Sequence, residues 1–115
     1  KHLTNKSGLN SYSSIIDLKP SKIKDLCFSI GAEIKNAFLI LVLKDNNKAY
    51  CSCFISKDIA SSMNLNASEI ISNLGSHING KGGGQPFYAT CAGDNISGVD
   101  KLISEAKKLQ KQLQK

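Results

Sequence analysis

The longest uninterrupted apolar stretch, Ala37 to Leu43 (AFLILVL), has the length of a strand and no polar break. Runs of this kind belong to strands buried on both faces. KDNNK follows as a turn, and AYCSCFI from Ala49 to Ile55 returns alongside, which predicts a hairpin. Upstream, Pro20 suits a first helical turn, and Ile23, Leu26, Cys27, Ile30 and Ile34 recur at helical spacing with Lys22, Lys24 and Lys35 off the stripe. Tyr12 to Leu18 (YSSIIDL) is expected to be a strand before that helix, and residues 2–11 a polar, turn-like connection. Ser56 is placed to cap a short helix through Met63. Asn66 with Glu69 opens a better one, whose buried face is Ala67, Ile70, Ile71, Leu74 and Ile78. Near the end, Val99, Leu102, Ala106, Leu109 and Leu113 step by three and four in a helix over about 99–115. Beyond about Lys107 this seam is expected to outrun the domain, and it is the only sequence support for a homodimer.

The order strand, helix, strand, strand, helix, strand, helix predicts the α/β (α+β) class: a small mixed sheet covered by helices, with a terminal helix extending past the core. At 115 residues this is one domain. The expected division is a connecting segment over 1–11 and the domain over 12–115. The abrupt opening at Lys1 and the charged end at Lys115 suggest a piece of a longer protein.

Between the second long helix and the strand FYATC lies GKGGGQP, residues 80–86. Consecutive glycines allow positive φ, so backbone N–H groups can converge on an anion, with Lys81 as a mobile charge. The pattern predicts a ligand-approached loop made of Gly80, Lys81, Gly82, Gly83, Gly84, Gln85 and Pro86. One of Phe87 and Tyr88 is expected to face outward, with Tyr88 taken as the candidate that could stack on a base. GSHINGKG, residues 75–82, misses the nucleotide phosphate loop because Gly82 stands where a hydroxyl should hold magnesium. A tight helix-to-strand crossover is the bland alternative.

The formal charge of +6 favours acidic partners, and all 15 basic residues are lysines, suited to phosphate rather than to guanine edges. Lys101 and Lys108 on the terminal helix are added as candidate nucleic-acid contacts. Cys27, Cys51, Cys53 and Cys91 are read as core residues, because a lone C-x-C without a second ligand pair makes a poor zinc site. No site residue is assigned to metal or to catalysis. A Cys91 nucleophile with His77 as base lacks any group to orient the imidazole, and His77 more simply closes its helix. With no leader and no apolar run of membrane length, the expected setting is the cytoplasm with reduced thiols and no membrane partner.

The stretch Asn66 to Asn95 (NASEIISNLGSHINGKGGGQPFYATCAGDN) resembles the DHHA1 domain, in particular its copy at the C-terminus of alanyl-tRNA synthetases. The shared features are Ile55-Ser56-Lys57-Asp58-Ile59 at a strand end, Asn66-Ala67 opening a helix, Gly80 to Pro86, and Ala89. Where that family usually has arginine, aspartate, methionine and glutamine around the glycines, this chain has Gln85, Phe87, Tyr88 and Thr90, and Ala92 replaces a glycine. The resemblance implies a noncatalytic module that binds the outer corner of tRNA, with alanine tRNA the expected one. The module would link the aminoacylation and editing domains of the same chain. It also implies a parent ligase using ATP with magnesium and often zinc in its editing domain, with no cofactor in this module. The same domain in DHH phosphoesterases, where it holds a nucleotide or single strand, is the alternative.

Overall fold

A computed structural model describes residues 4–6 and 9–112. Six strands form one mixed sheet: β1 (Thr4–Lys6), β2 (Leu9–Ile15), β3 (Ala37–Asp45), β4 (Lys48–Ile55), β5 (Lys81–Gln85) and β6 (Tyr88–Gly93), in the order β1-β2-β3-β4-β6-β5. Only β2 and β3 run parallel, joined by α1 (Ile23–Glu33), and every other pairing is antiparallel. Helices α2 (Lys57–Ser62), α3 (Ala67–Gly75) and α4 (Val99–Gln112) complete the chain.

The apolar run behaves as its composition requires: Ala37 through Leu43 is buried along its whole length because β3 has helices on both faces. Its alternate residues divide between two cores. Phe38, Ile40 and Val42 pack with Cys51, Cys53, Ile55, Ala89 and Cys91 under α2, α3 and α4. Leu39, Leu41 and Leu43 pack with Phe54, Ile23 and Cys27 under α1. Each such side chain taken fully from water contributes about 1.5–3 kcal/mol, so these two layers are the main source of stability.

Among the described residues, asparagines occupy the left-handed turns. Asn46 and Asn47, at φ 50° and 64°, close the β3–β4 hairpin, and Asn36, Asn64 and Asn79 take φ of 55°, 55° and 54° at other chain reversals. Asparagine tolerates this region because its short side chain bonds locally.

Several expectations change. The polar segment 1–11 contributes to the sheet: β1 pairs with β2 from Thr4↔Ser11 to Lys6↔Leu9, and β2 begins at Leu9 and ends at Ile15, earlier than the expected strand over 12–18. Pro20 starts a 3-10 turn that leads into α1. Asn66 caps α3 as expected, its Oδ1 accepting from the N–H groups of Ser68 at 2.9 Å and Glu69 at 3.4 Å. Ser56 does not cap α2. Its hydroxyl accepts instead from the Ala37 N–H at 2.9 Å, tying the start of α2 to the start of β3.

Helix α4 does not leave the domain at Lys107. Val99, Leu102 and Ala106 are buried, and Gln110 is 5% exposed, its Nε2 donating to the carbonyl oxygens of Tyr12 at 3.1 Å and Phe38 at 3.0 Å. The apolar stripe is therefore core, extended by a glutamine that the apolar pattern had no means of counting. Leu113 and the rest of 113–115 lie outside the described residues.

Candidate nucleic-acid interface

The glycine segment is the main correction. Lys81 to Gln85 is not a loop folded around an anion but the edge strand β5, registered on β6 from Lys81↔Ala92 to Gln85↔Tyr88. Pro86 and Phe87 make the turn of that hairpin. Among the described glycines only Gly84 has positive φ, at 159°, so the converging nest of N–H groups is absent. What approaches the backbone is the chain's own next strand. A Cβ on Gly82 would stand 2.1 Å from the Thr90 carbonyl oxygen, and one on Gly84 would stand 2.5 Å from that of Tyr88. At Gly83 the nearest atom would be Ser68 Oγ at 3.8 Å, so that position is open. Gly80, just before the strand, faces the Cys91 sulfur at 3.0 Å from its would-be Cβ.

A site still exists beside this strand. On its side of the sheet α1 stands alone, packing on β3 and β4, so β6 and β5 are left without a covering helix. The result is an open cleft of about 650 Å³. Its floor is made by the cross-strand pairs Tyr50↔Ala92 and Ser52↔Thr90 together with Tyr88. Pro20, Ser21, Ile23 and Lys24 from the start of α1 form one wall, and Lys81, Gly82 and Gly83 form the other. Lys24 and Lys81 thus flank hydroxyls and two tyrosines, and among the described residues no carboxylate lines the cleft.

Tyr88 does not project freely as a stacking ring. It packs edge-on against Phe28 at 5.2 Å between centroids, and its hydroxyl is buried without a partner in good hydrogen-bonding geometry. Burial raises the Tyr88 phenol above its ordinary range, opposed in part by the neighbouring Ser52 hydroxyl. Phe87 is half-buried with the Lys57 ammonium 4.8 Å from its ring centre, so neither aromatic of the pair enters the core outright. Phe28, 41% exposed, is the aromatic that sequence reasoning missed. Its one signal was a large apolar side chain next to the apolar stripe of α1 instead of in it.

The predicted residues therefore separate. Gly80 through Pro86 and Tyr88 lie together in and around the β5–β6 hairpin. Lys101 and Lys108 do not join them: α4 packs on β2 and β3, while β5 packs on β6 and α3, with β4 and β6 between. Both lysines also share the Glu105 carboxylate, each at 3.4 Å, which lowers the affinity of that carboxyl for protons.

All four cysteines are free and buried. Cys91 lies directly opposite Cys51, and their hydrogen bond, with burial, raises the Cys51 thiol. Cys91 thus has a second thiol as its cross-strand neighbour. The His77 carbonyl accepts from Asn95 Nδ2 at 2.9 Å, giving that residue a structural task. Among the described residues no group of three or more His, Cys, Asp or Glu is placed to hold a metal ion. Among them, too, no helix is long and apolar enough to cross a membrane.

The chain belongs to the DHHA1 domain family, whose model matches residues 12–112. It is 41% identical over 100 residues to the alanine–tRNA ligase of Christiangramia forsetii, covering 87% of this chain and 12% of that protein. With the alanine–tRNA ligase of Flavobacterium psychrophilum it shares 37% identity over 100 residues, 87% of this chain and 11% of the relative. The chain thus spans only about an eighth of the length of these relatives. Its fold matches the crystal structure of the C-Ala domain from Aquifex aeolicus alanyl-tRNA synthetase with a TM-score of 0.80 at 18% identity, covering 94% of this chain and 96% of the other.

Proposed function

We propose that this chain is the C-terminal tRNA-binding module of an alanine–tRNA ligase, noncatalytic in itself. In this reading it docks the outer corner of alanine tRNA and links aminoacylation and editing domains in the cytoplasm. The observation that carries the proposal is the cleft between α1 and β5, where Lys24 and Lys81 stand over a polar, aromatic floor with no carboxylate. A polyanion gains there from two cations and meets no opposing charge on the lining. The similarity to alanine–tRNA ligases over most of the chain supports tRNA as that polyanion. ATP with magnesium, and zinc for editing, would act on other domains of such a parent.

Binding of tRNA, measured by filter retention across a salt series, tests this. Affinity is expected to fall steeply with salt, because lysine contacts to phosphate release counterions. Lys24→Ala and Lys81→Ala should each reduce the slope of log affinity against log salt by about one, uniformly across tRNA sequences. Lys101→Ala and Lys108→Ala should change it less. A slope that responds only to the α4 lysines would transfer the interface to the opposite side of the sheet, and salt-independent binding would overturn the lysine–phosphate reading altogether.

A further inference from the structure

The apolar side chain most out of place on this surface is Phe28. It is 41% exposed, although the neighbouring Phe54 of the sheet is buried. Its ring is held from below in edge-on contacts with Phe54 and Tyr88, both at 5.2 Å between centroids and at 67° and 68°. Such edge-on contacts favour one ring orientation, and 41% of the residue stays exposed. The Lys24 ammonium lies 5.9 Å from the centre of the same ring, and Lys24 also lines the cleft. Phe28 therefore borders the cleft through Tyr88 and Lys24, which both line it, and Lys81 lines it as well.

We propose that Phe28 is a stacking platform for an unstacked nucleobase whose flanking phosphates lie on Lys24 and Lys81. The proposal rests on the tRNA-binding reading and adds an element to it, since charge alone asks for no aromatic. An apolar partner would have no use for two cations and a hydroxyl-lined floor. A nucleotide presents a flat π face and an anion within one residue's length, which is the juxtaposition Phe28 and Lys24 offer.

The chain contains no tryptophan, so Phe28→Trp introduces a single indole fluorophore at the platform. Its emission should be quenched on titration with tRNA and with a short single-stranded RNA, and should be little affected by a long RNA duplex. Phe28→Ala should weaken tRNA binding about tenfold while leaving the salt slope unchanged, whereas Phe28→Trp should bind at least as well as the parent chain. Melting curves must show both variants folded, as expected for a half-exposed ring.

If Phe28→Ala binds within about twofold of the parent and the indole emission of Phe28→Trp does not respond to RNA, the platform is refuted while lysine-dependent tRNA binding stands. Equal quenching by duplex would refute the unstacked base. Emission that shifts with protein concentration before RNA is added would show a second copy of the chain covering the ring, and would overturn the proposal in favour of that partner. If the unaltered chain fails to bind tRNA, the functional reading fails and the platform falls with it.

Discussion

Gly82 and Gly83 are adjacent in an edge strand, yet substitution by alanine should have opposite consequences. At Gly82 the new Cβ would lie 2.1 Å from the Thr90 carbonyl oxygen and 2.8 Å from the Cys91 Cα, both backbone atoms of the paired strand. Ordinary contact needs about 3.5 Å, so the two strands must separate by roughly 1.4 Å. A shift of that size opens the β5–β6 ladder locally, losing one or two hydrogen bonds at about 1 kcal/mol each and adding about 1–3 kcal/mol of strain. We expect a loss of about 2–5 kcal/mol, or about 8–20 °C in Tm at roughly 4 °C per kcal/mol. Gly83→Ala meets only Ser68 Oγ at 3.8 Å. By restricting the unfolded chain it should fall between no change and a gain of about 1 kcal/mol. Far-ultraviolet circular dichroism melts of the parent and both variants, with urea titrations to confirm unchanged m-values, measure the difference. Melting of the two variants within about 2 °C of each other would refute the close-approach argument and make the glycines interchangeable turn residues.

Gln110→Leu should cost about 1–3 kcal/mol in urea unfolding despite the gain in hydrophobicity, because the Tyr12 and Phe38 carbonyls lose a buried donor. Cys27 sets an alkaline limit, since burial pushes its thiol up to about 12, so the folded state holds a proton that the unfolded state releases. Its contribution to stability is complete below the ordinary thiol pKa and is lost as pH rises towards 12, so stability measured by urea titration should decline over that interval and decline less steeply in Cys27→Ala.

The parts of the fold that were legible in the sequence are those where burial imposes a period. The continuous run at 37–43, its partner at 49–55 and the stripes of α1 and α3 all appear where expected, because a chain this short can hide apolar area only against a sheet. The glycine strand was not legible. Glycine carries no hydropathy alternation, and its composition is that of a turn, so β5 becomes visible only when β6 is seen to need a neighbour at distances no side chain permits. Polar side chains misled for a related reason. Ser56 precedes a helix as a capping residue would, but the nearer unsatisfied donor was Ala37, nineteen positions away in sequence. The candidate site was half legible: Lys81 and the hairpin were marked by their composition, whereas Lys24 and Phe28 belong to a helix whose end meets the cleft only through the β2–β3 crossover.

The amide of Gln110 bridges carbonyls of β2 and β3 across 98 and 72 positions of sequence. During synthesis, therefore, the one parallel pairing in the sheet is laid down early but cannot be locked until nearly the whole domain has left the ribosome. Until then, the face of β2 and β3 that α4 will cover stays open, and Phe38, Ile40 and Val42 remain partly bare. Such an arrangement couples the first strands to the last helix in a single cooperative event. A nascent chain held with Gln110 still inside the ribosome should accordingly be more vulnerable to proteases and to aggregation through its apolar strands than one held after Gln110 has emerged.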